Sequence, residues 1–231
     1  MSAHLDLRNH FIMSIMHLYI YDHCPYCVMA RMPFAMKNVS VELTVLPSDD
    51  EATPIAMIGV KACPILKKPD GSFMPESMDI VSYIDQLDGS PIFSPSANRA
   101  DVSAWLKDVN LLMKQLLYPR WVTSPVKEFQ TQSAIDYFTH KKTKELGSFA
   151  EALANSKSLI KAFEDKLGEL AHMLHSETGV NEQLSIDDIT LFGRLRGITL
   201  IKGLTIPPKV GAYLDYFSTT CKIPLFYDVA Q

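Results

Sequence analysis

Four residues constrain this chain more than any others: Cys24-Pro25-Tyr26-Cys27, set between an apolar run and a helical stretch. Ahead of them, Met16-His17-Leu18-Tyr19-Ile20-Tyr21 is rich in aromatic and aliphatic residues and reads as a buried strand. Behind them a helix begins, with Pro25 at a first-turn position where its missing N–H would have lacked a partner in any case. Cys24 therefore ends a strand-to-helix loop and faces the free N–H groups of a helix N-terminus, whose partial positive charge favours thiolate over thiol. Cys27 follows closely enough to attack a disulfide formed on Cys24.

A C-x-x-C pair also supplies half of many zinc sites. Zinc needs further ligands, usually a second close pair of Cys or His. Cys63 and Cys221 are isolated from each other, and His172 and His175 fall one residue short of an H-x3-5-H pair. The strand before and the helix after favour redox chemistry, with no metal expected. Four cysteines in 231 residues do not suggest a disulfide framework, so a reducing, cytoplasmic compartment is expected. The net charge is −4 with Lys and Arg scattered, which argues against nucleic acid or an anionic membrane as partner. No segment approaches the roughly 18 apolar residues of a membrane span. Residues 1–15 read as an upstream extension without a catalytic role: Arg8 is offset by Asp6, no small-x-small cleavage site follows the apolar run, and Met16 would itself make a sensible start.

Further along, Val41 to Leu46 alternates apolar with polar and predicts a second strand, parallel to the first through a helical crossover. Asp49 to Ile58 is a short helical stretch, and Ala62 to Lys67 a proline-led third strand. Pro69-Asp70-Gly71 turns the chain back into a fourth strand at Phe73-Met74. Ser77 to Leu87 places Ile80, Val81, Ile84 and Leu87 on one helical face. The proline- and serine-rich segment 89–98 marks a linker between a unit at 16–88 and another at 99–231. Beyond it the apolar period is helical throughout. Val102 to Leu117 forms one stripe of a long helix, Phe149 to Leu174 another, and Val210 to Phe217 a last amphipathic turn. Ile186 to Ile201 is apolar nearly all round, as for a helix buried within a bundle, and Ser185-Ile186-Asp187-Asp188 has the form of a capping box at its start.

Strand, C-P-Y-C, helix, strand, proline-led hairpin and final helix is the order of the thioredoxin fold, and C-P-Y-C resembles the glutaredoxin version of its active site. The attached helical half with S-x-x-D at a buried helix resembles the glutathione transferases. Together with Tyr19-Ile20-Tyr21-Asp22-His23 before the motif and Pro75-Glu76-Ser77-Met78-Asp79-Ile80-Val81 after the hairpin, the chain resembles the large, transferase-like glutaredoxins of bacteria from Met16 to about Leu225. The resemblance implies a thioredoxin-like α/β domain with a mixed four-stranded sheet, followed by an all-α bundle in a transferase-like two-domain architecture. It implies a glutathione-dependent thiol-disulfide oxidoreductase with Cys24 as nucleophile and Cys27 as resolving cysteine. Glutathione is then the reducing cosubstrate, glutathionylated or disulfide-bonded proteins are the partners, and the chain is a monomer.

Site roles follow from the same resemblance. Pro25 and Tyr26 of the motif adjoin glutathione. Pro64 resembles the cis-proline opposite the active site, and Cys63 before it offers backbone N–H and C=O to the cysteinyl part. Glu76 and Ser77 resemble the pair that holds the γ-glutamyl end; a helix N-terminus with a hydroxyl suits its carboxylate and Glu76 its amino group. By itself, Ser77 reads as a plain N-cap. Cys63 stands where the family more often has an apolar residue such as valine, either as a small buried filler or as a third reactive thiol. Pro33 should kink the first helix. Arg31 and His23 could tune the thiolates but read more simply as a helix-surface charge and a solvated ring. Lys141, Lys142 and Lys144 read as an exposed face, Cys221 as an unpaired thiol. The alternatives to a glutaredoxin are a transferase conjugating glutathione to electrophiles and a non-catalytic glutathione-binding protein. An iron-sulfur carrier fits less well, since such glutaredoxins usually have a single active-site cysteine.

Overall fold

A computed structural model describes residues 15–231. The reading of residues 1–15 as an extension therefore falls, Ile15 apart, outside the described residues. The first unit runs β1 (Met16–Ile20), α1 (Pro25–Met36), β2 (Val41–Val45), α2 (Ala52–Ile58), β3 (Ile65–Lys67), β4 (Phe73–Pro75) and α3 (Ser77–Asp85). Its sheet has the order β2-β1-β3-β4, with β1 parallel to β2 and both β3 pairings antiparallel. Met16, Leu18 and Ile20 alternate along β1 into a core shared with Cys27, Ala30 and Phe34 of α1 and Ile80 and Ile84 of α3. The alternation expected of β2 is only half realised. Leu43 pairs with the buried Leu18 but is itself 47% exposed, because β2 is the edge strand and the helical cover runs out there.

The rest is helical: α4 (Ala100–Asp108), α5 (Asn110–Trp121), α6 (Gln132–Leu146), α7 (Phe149–Ala154), α8 (Ser156–Met173), α9 (Ile186–Leu195) and α10 (Pro208–Cys221). The single helix expected over Val102 to Leu117 is two, interrupted at Val109. That residue stays right-handed at φ −80° and ψ −8° and donates to Trp105, so the apolar stripe runs on across the break. The stretch 149–174 likewise divides at Asn155. The buried helix α9 ends at Leu195 and continues as a 3-10 turn over Arg196–Leu200. Ser185 and Asp188 form the expected capping box, with the Asp188 carboxylate accepting from the Ser185 N–H at 2.9 Å. Asp188 also accepts from the Val180 N–H at 2.8 Å, which binds the preceding loop to the cap.

Several contacts join the halves. The segment after α3 is pinned, since Asp85 accepts from the Ile92 N–H at 2.8 Å and Ser94 exchanges backbone hydrogen bonds with Leu184 and Ile186. On the other side α9 lies directly on α1: a Cβ added to Gly193 would fall 2.6 Å from Met29 Cγ and 2.9 Å from the Pro25 carbonyl oxygen. Only glycine allows that approach. Val28, Met29 and Met32 of α1 accordingly belong to the same core as Phe192, Leu195, Tyr213 and Phe217 of the helical half. Burying each such large side chain contributes about 1.5–3 kcal/mol. Among the described residues no helix is long and apolar enough to cross a membrane.

Candidate active site

β1 ends at Ile20 and a short turn, closed by the Cys24 N–H on the Tyr21 carbonyl at 3.2 Å, delivers Cys24 to the N-cap of α1. Its extended backbone (φ −76°, ψ 123°) turns the sulfur back over the helix end, with Pro25 in the first turn. The Cys24 thiol is pulled down from 9.0 to about 6. The Cys27 thiol hydrogen-bonded to it does most of this, burial opposes it, and His23 and the backbone N–H groups of Cys27 and Tyr26 add to the lowering. Cys27 is fully buried, takes a hydrogen bond from the Tyr21 N–H at 3.3 Å, and is pushed up by burial and by the Cys24 sulfur. The same geometry thus makes one cysteine a thiolate at neutral pH and keeps its neighbour protonated.

The peptide bond between Cys63 and Pro64 is cis. Burial, and then the Cys24 sulfur, push the Cys63 thiol up to about 12, so the third cysteine of the neighbourhood is a protonated one. The register of β3 on β4 pairs Ile65, the residue after Pro64, with Pro75, the residue before Glu76. Glu76 is itself the N-cap of α3, with a left-handed φ of 70°, while Ser77 is the buried first residue of the helix. A non-glycine residue held in that region costs about 1–3 kcal/mol and persists where surrounding structure imposes it. Ser77 is therefore not the plain N-cap its position suggested.

The helical half reaches into the loop before Cys24. Glu128, fully buried in a 3-10 turn, accepts with one oxygen from the His23 N–H at 2.8 Å and from His23 Nδ1 at 2.7 Å. The His23 ring is packed against Trp121, Phe129 and Phe138 and is not solvated. Arg31 is no surface charge either: it donates to the Asp22 carboxylate at 2.6 Å. Arg196 reaches the same residue from the far end of the chain, donating to the Asp22 carbonyl at 2.6 Å with its guanidinium 3.2 Å from the carboxylate. Burial pushes the Asp22 carboxyl up, but Arg196 and Arg31 outweigh it and hold it below its usual range. Lys142 leaves the exposed face expected of it and lies over the Tyr118 and Phe138 rings. Cys221 is buried, which pushes its thiol up to about 12. Glu128, Asp22 and Arg196 escaped the sequence reading, since nothing local distinguishes them and their partners are remote in the chain.

Comparison with known proteins follows the same lines. A family model described as "Glutaredoxin 2, C terminal domain" matches residues 101–230, and one described as "Glutathione S-transferase, N-terminal domain" matches residues 18–91. Glutaredoxin 2 of Escherichia coli K12 is 46% identical over 215 residues, covering 93% of this chain and 100% of that protein. The chain belongs to the glutaredoxin 2 family. The crystal structure of glutaredoxin 2 from Salmonella typhimurium in complex with glutathione superposes with a TM-score of 0.91 at 47% identity, over 94% of this chain and 99% of that one. The glutathione transferase GSTFuA3 of Phanerochaete chrysosporium, with a TM-score of 0.69 at 14% identity over 90% of this chain and 98% of that one, shares the fold. Glutaredoxin 2 proteins are glutathione-dependent oxidoreductases, and this chain is one of them.

Proposed function

We propose that this glutaredoxin reduces mixed disulfides of glutathione, with Cys24 as the nucleophile. The Cys24 thiolate attacks the glutathionyl sulfur of a protein or small-molecule disulfide. A bond forms between Cys24 and that sulfur, the original S–S bond breaks, and the substrate leaves as a thiolate. A second glutathione, as thiolate, then attacks the Cys24 mixed disulfide and departs as oxidised glutathione. In the dithiol branch Cys27 loses its proton and displaces glutathione, leaving a Cys24–Cys27 disulfide for two further glutathiones to reduce. The observation that carries this reading is the contrast between the two sulfurs: Cys24 held near 6 at the helix N-cap, Cys27 buried and raised beside it. A nucleophile ionised at neutral pH and a resolving group held in reserve suit the two half-reactions.

Glutathione would lie along Pro25, Tyr26, Cys63 and Pro64 with its γ-glutamyl end at Glu76 and Ser77. The first turn of α3 suits a carboxylate, and the exposed Glu76 carboxylate suits the ammonium. The glutathione complex of the Salmonella relative supports a seat of this kind. The division into units at 16–88 and 99–231, joined by 89–98, is part of the same proposal and is supported by the separate family matches at 18–91 and 101–230. The test is glutathione-dependent reduction of the mixed disulfide between glutathione and 2-mercaptoethanol. Wild type and Cys27→Ser are expected to turn it over and Cys24→Ser is not. Substantial activity in Cys24→Ser would remove Cys24 from the mechanism, and conjugation of an aryl halide faster than disulfide reduction would favour a transferase.

A further inference from the structure

His23 is the residue before Cys24, and both line a cleft of about 580 Å³ between the motif and the helical half. The helical half holds its ring. Nδ1 and the backbone N–H meet one oxygen of Glu128, at 2.7 and 2.8 Å, and the ring centroid lies 5.7, 5.1 and 5.4 Å from those of Trp121, Phe129 and Phe138. Glu128 is fully buried, and its second oxygen, Oε2, has no hydrogen-bond donor. A carboxylate withdrawn from water in this way is destabilised unless a cation lies at contact. Among the described residues His23 is the one side chain within ion-pair distance that can supply it. Arg196 feels the Glu128 charge from further off, with its guanidinium committed to Asp22 and to the Pro224 carbonyl. The other titratable groups around the pair are engaged or neutral. Arg31 is paired with Asp22, Asp50 accepts from the Thr53 N–H, Lys61 donates to the Ser48 carbonyl, and burial pushes Cys27, Cys63 and Tyr21 up and keeps them protonated.

We propose that Glu128 is a positioning residue for the reaction: it holds the His23 ring as an imidazolium beside Cys24, so that the sulfur works within a thiolate–imidazolium pair backed by a buried carboxylate. The inference rests on the reading of Cys24 as the nucleophile. His23 is among the groups that lower the Cys24 thiol, and Glu128 reaches the ring rather than the sulfur. The consequence falls on the step in which Cys24 is the leaving group. Reduced glutathione, as thiolate, forms a bond to the glutathionyl sulfur, the bond from that sulfur to Cys24 breaks, and Cys24 takes the electron pair. A thiol of lower pKa leaves faster, and the imidazolium is in place to meet the charge as it forms. A neutral ring with an ionised Glu128 would do the opposite, by setting one net negative charge behind the nucleophile.

The experiment centres on Glu128→Gln, whose amide oxygen can still accept from the His23 N–H and Nδ1 but carries no charge. The pH dependence of iodoacetamide alkylation at Cys24, followed by peptide mass, is expected to show a midpoint about one unit higher than in wild type. Reduction of the preformed Cys24–glutathione mixed disulfide by glutathione, in a single turnover at fixed pH, is expected to slow severalfold. His23→Phe keeps the packing against the aromatic rings, and in that background Glu128→Gln should move the midpoint no further. A folded Glu128→Gln protein with an unshifted midpoint overturns the proposal. So does a shift of equal size in the His23→Phe background, since the carboxylate would then act without the ring. Wild type gives a readout that does not depend on any variant folding. By NMR of isotope-labelled histidine at neutral pH, the His23 ring nitrogens should be those of an imidazolium in the reduced protein and move towards the neutral form once iodoacetamide has capped Cys24. A ring that is neutral in both states overturns the proposal, as does one whose signals ignore the capping. Failure of the underlying reading looks different, as Cys24→Ser would then remain active in disulfide reduction.

Discussion

Replacing Cys27 by alanine removes the donor that does most to hold Cys24 as a thiolate. A hydrogen bond to a charged acceptor stabilises by about 1.5–3 kcal/mol, and a shift of one pKa unit corresponds to about 1.4 kcal/mol. From a wild-type position of about 6, the Cys24 midpoint in Cys27→Ala should therefore rise by roughly one to two units. Cys27→Ser retains a hydroxyl donor and should fall between the two. The assay is the pH dependence of alkylation by iodoacetamide, followed at Cys24 by peptide mass; Cys63 and Cys221, both pushed up to about 12, stay protonated over the range scanned. The same numbers set a stability trend. Between a folded value near 6 and the ordinary thiol value of 9.0, the unfolded chain binds more protons at Cys24, so the reduced protein gains stability as pH rises across that window. The gain is fully present above 9 and lost as pH falls through 6; it is on the order of 4 kcal/mol. Cys24→Ser should flatten this part of the profile, and Cys27→Ala should shrink it. An alanine variant with an unshifted midpoint and an unchanged pH profile would refute the assignment of the Cys27 thiol as the main donor.

Gly193→Ala forces a methyl against Met29 and the Pro25 backbone, and because the carbonyl cannot yield as a side chain can, unfolding in urea should show a loss of about 1–3 kcal/mol. Glu128→Ala leaves the His23 N–H and ring without their acceptor and should cost roughly 2–5 kcal/mol by the same measurement; a loss below one would mean that water replaces the carboxylate freely. Peptide mapping of the oxidised protein should return a Cys24–Cys27 disulfide with Cys63 as a free thiol, because burial and the Cys24 charge keep the Cys63 sulfur protonated and unreactive. A Cys24–Cys63 bridge would contradict that.

The parts legible in the sequence are those with short-range causes. The strand and helix around the C-P-Y-C motif, the hairpin turned at Asp70-Gly71 and the Ser185–Asp188 cap each follow from residues a few positions apart. What misled were positions whose neighbours come from elsewhere. Leu43 has the alternation of a buried strand residue, yet its exposure depends on how far the helices extend over the sheet edge. His23 looked solvated because Glu128 is remote in the chain, and Arg31 looked like a surface charge because helix periodicity does not show that Asp22, in the loop before α1, accepts from it. The interruption at Val109 leaves the apolar stripe intact, so periodicity alone could not mark it.

Those remote partners bear on why the motif is carried with a helical half. Asp22, His23 and Cys24 are consecutive, and each is fixed in its own way: Asp22 by Arg31 of α1 and by Arg196, His23 by Glu128, and Cys24 by the first turn of α1. Burial draws the Arg196 guanidinium down to about 10 against the pull of Asp22, which leaves it cationic at neutral pH. Two of these fastenings come from beyond residue 120, so the loop that aims the nucleophile is held partly by the helices. Donors already in place need not reorganise when the thiolate forms or is regenerated, which is the condition under which hydrogen bonds lower a pKa most. The Gly193 contact serves the same end, because it seats α9 against the turn that presents the Tyr26 and Cys27 N–H groups. The helical half therefore bears on the chemistry as the frame that holds the loop before Cys24 in place.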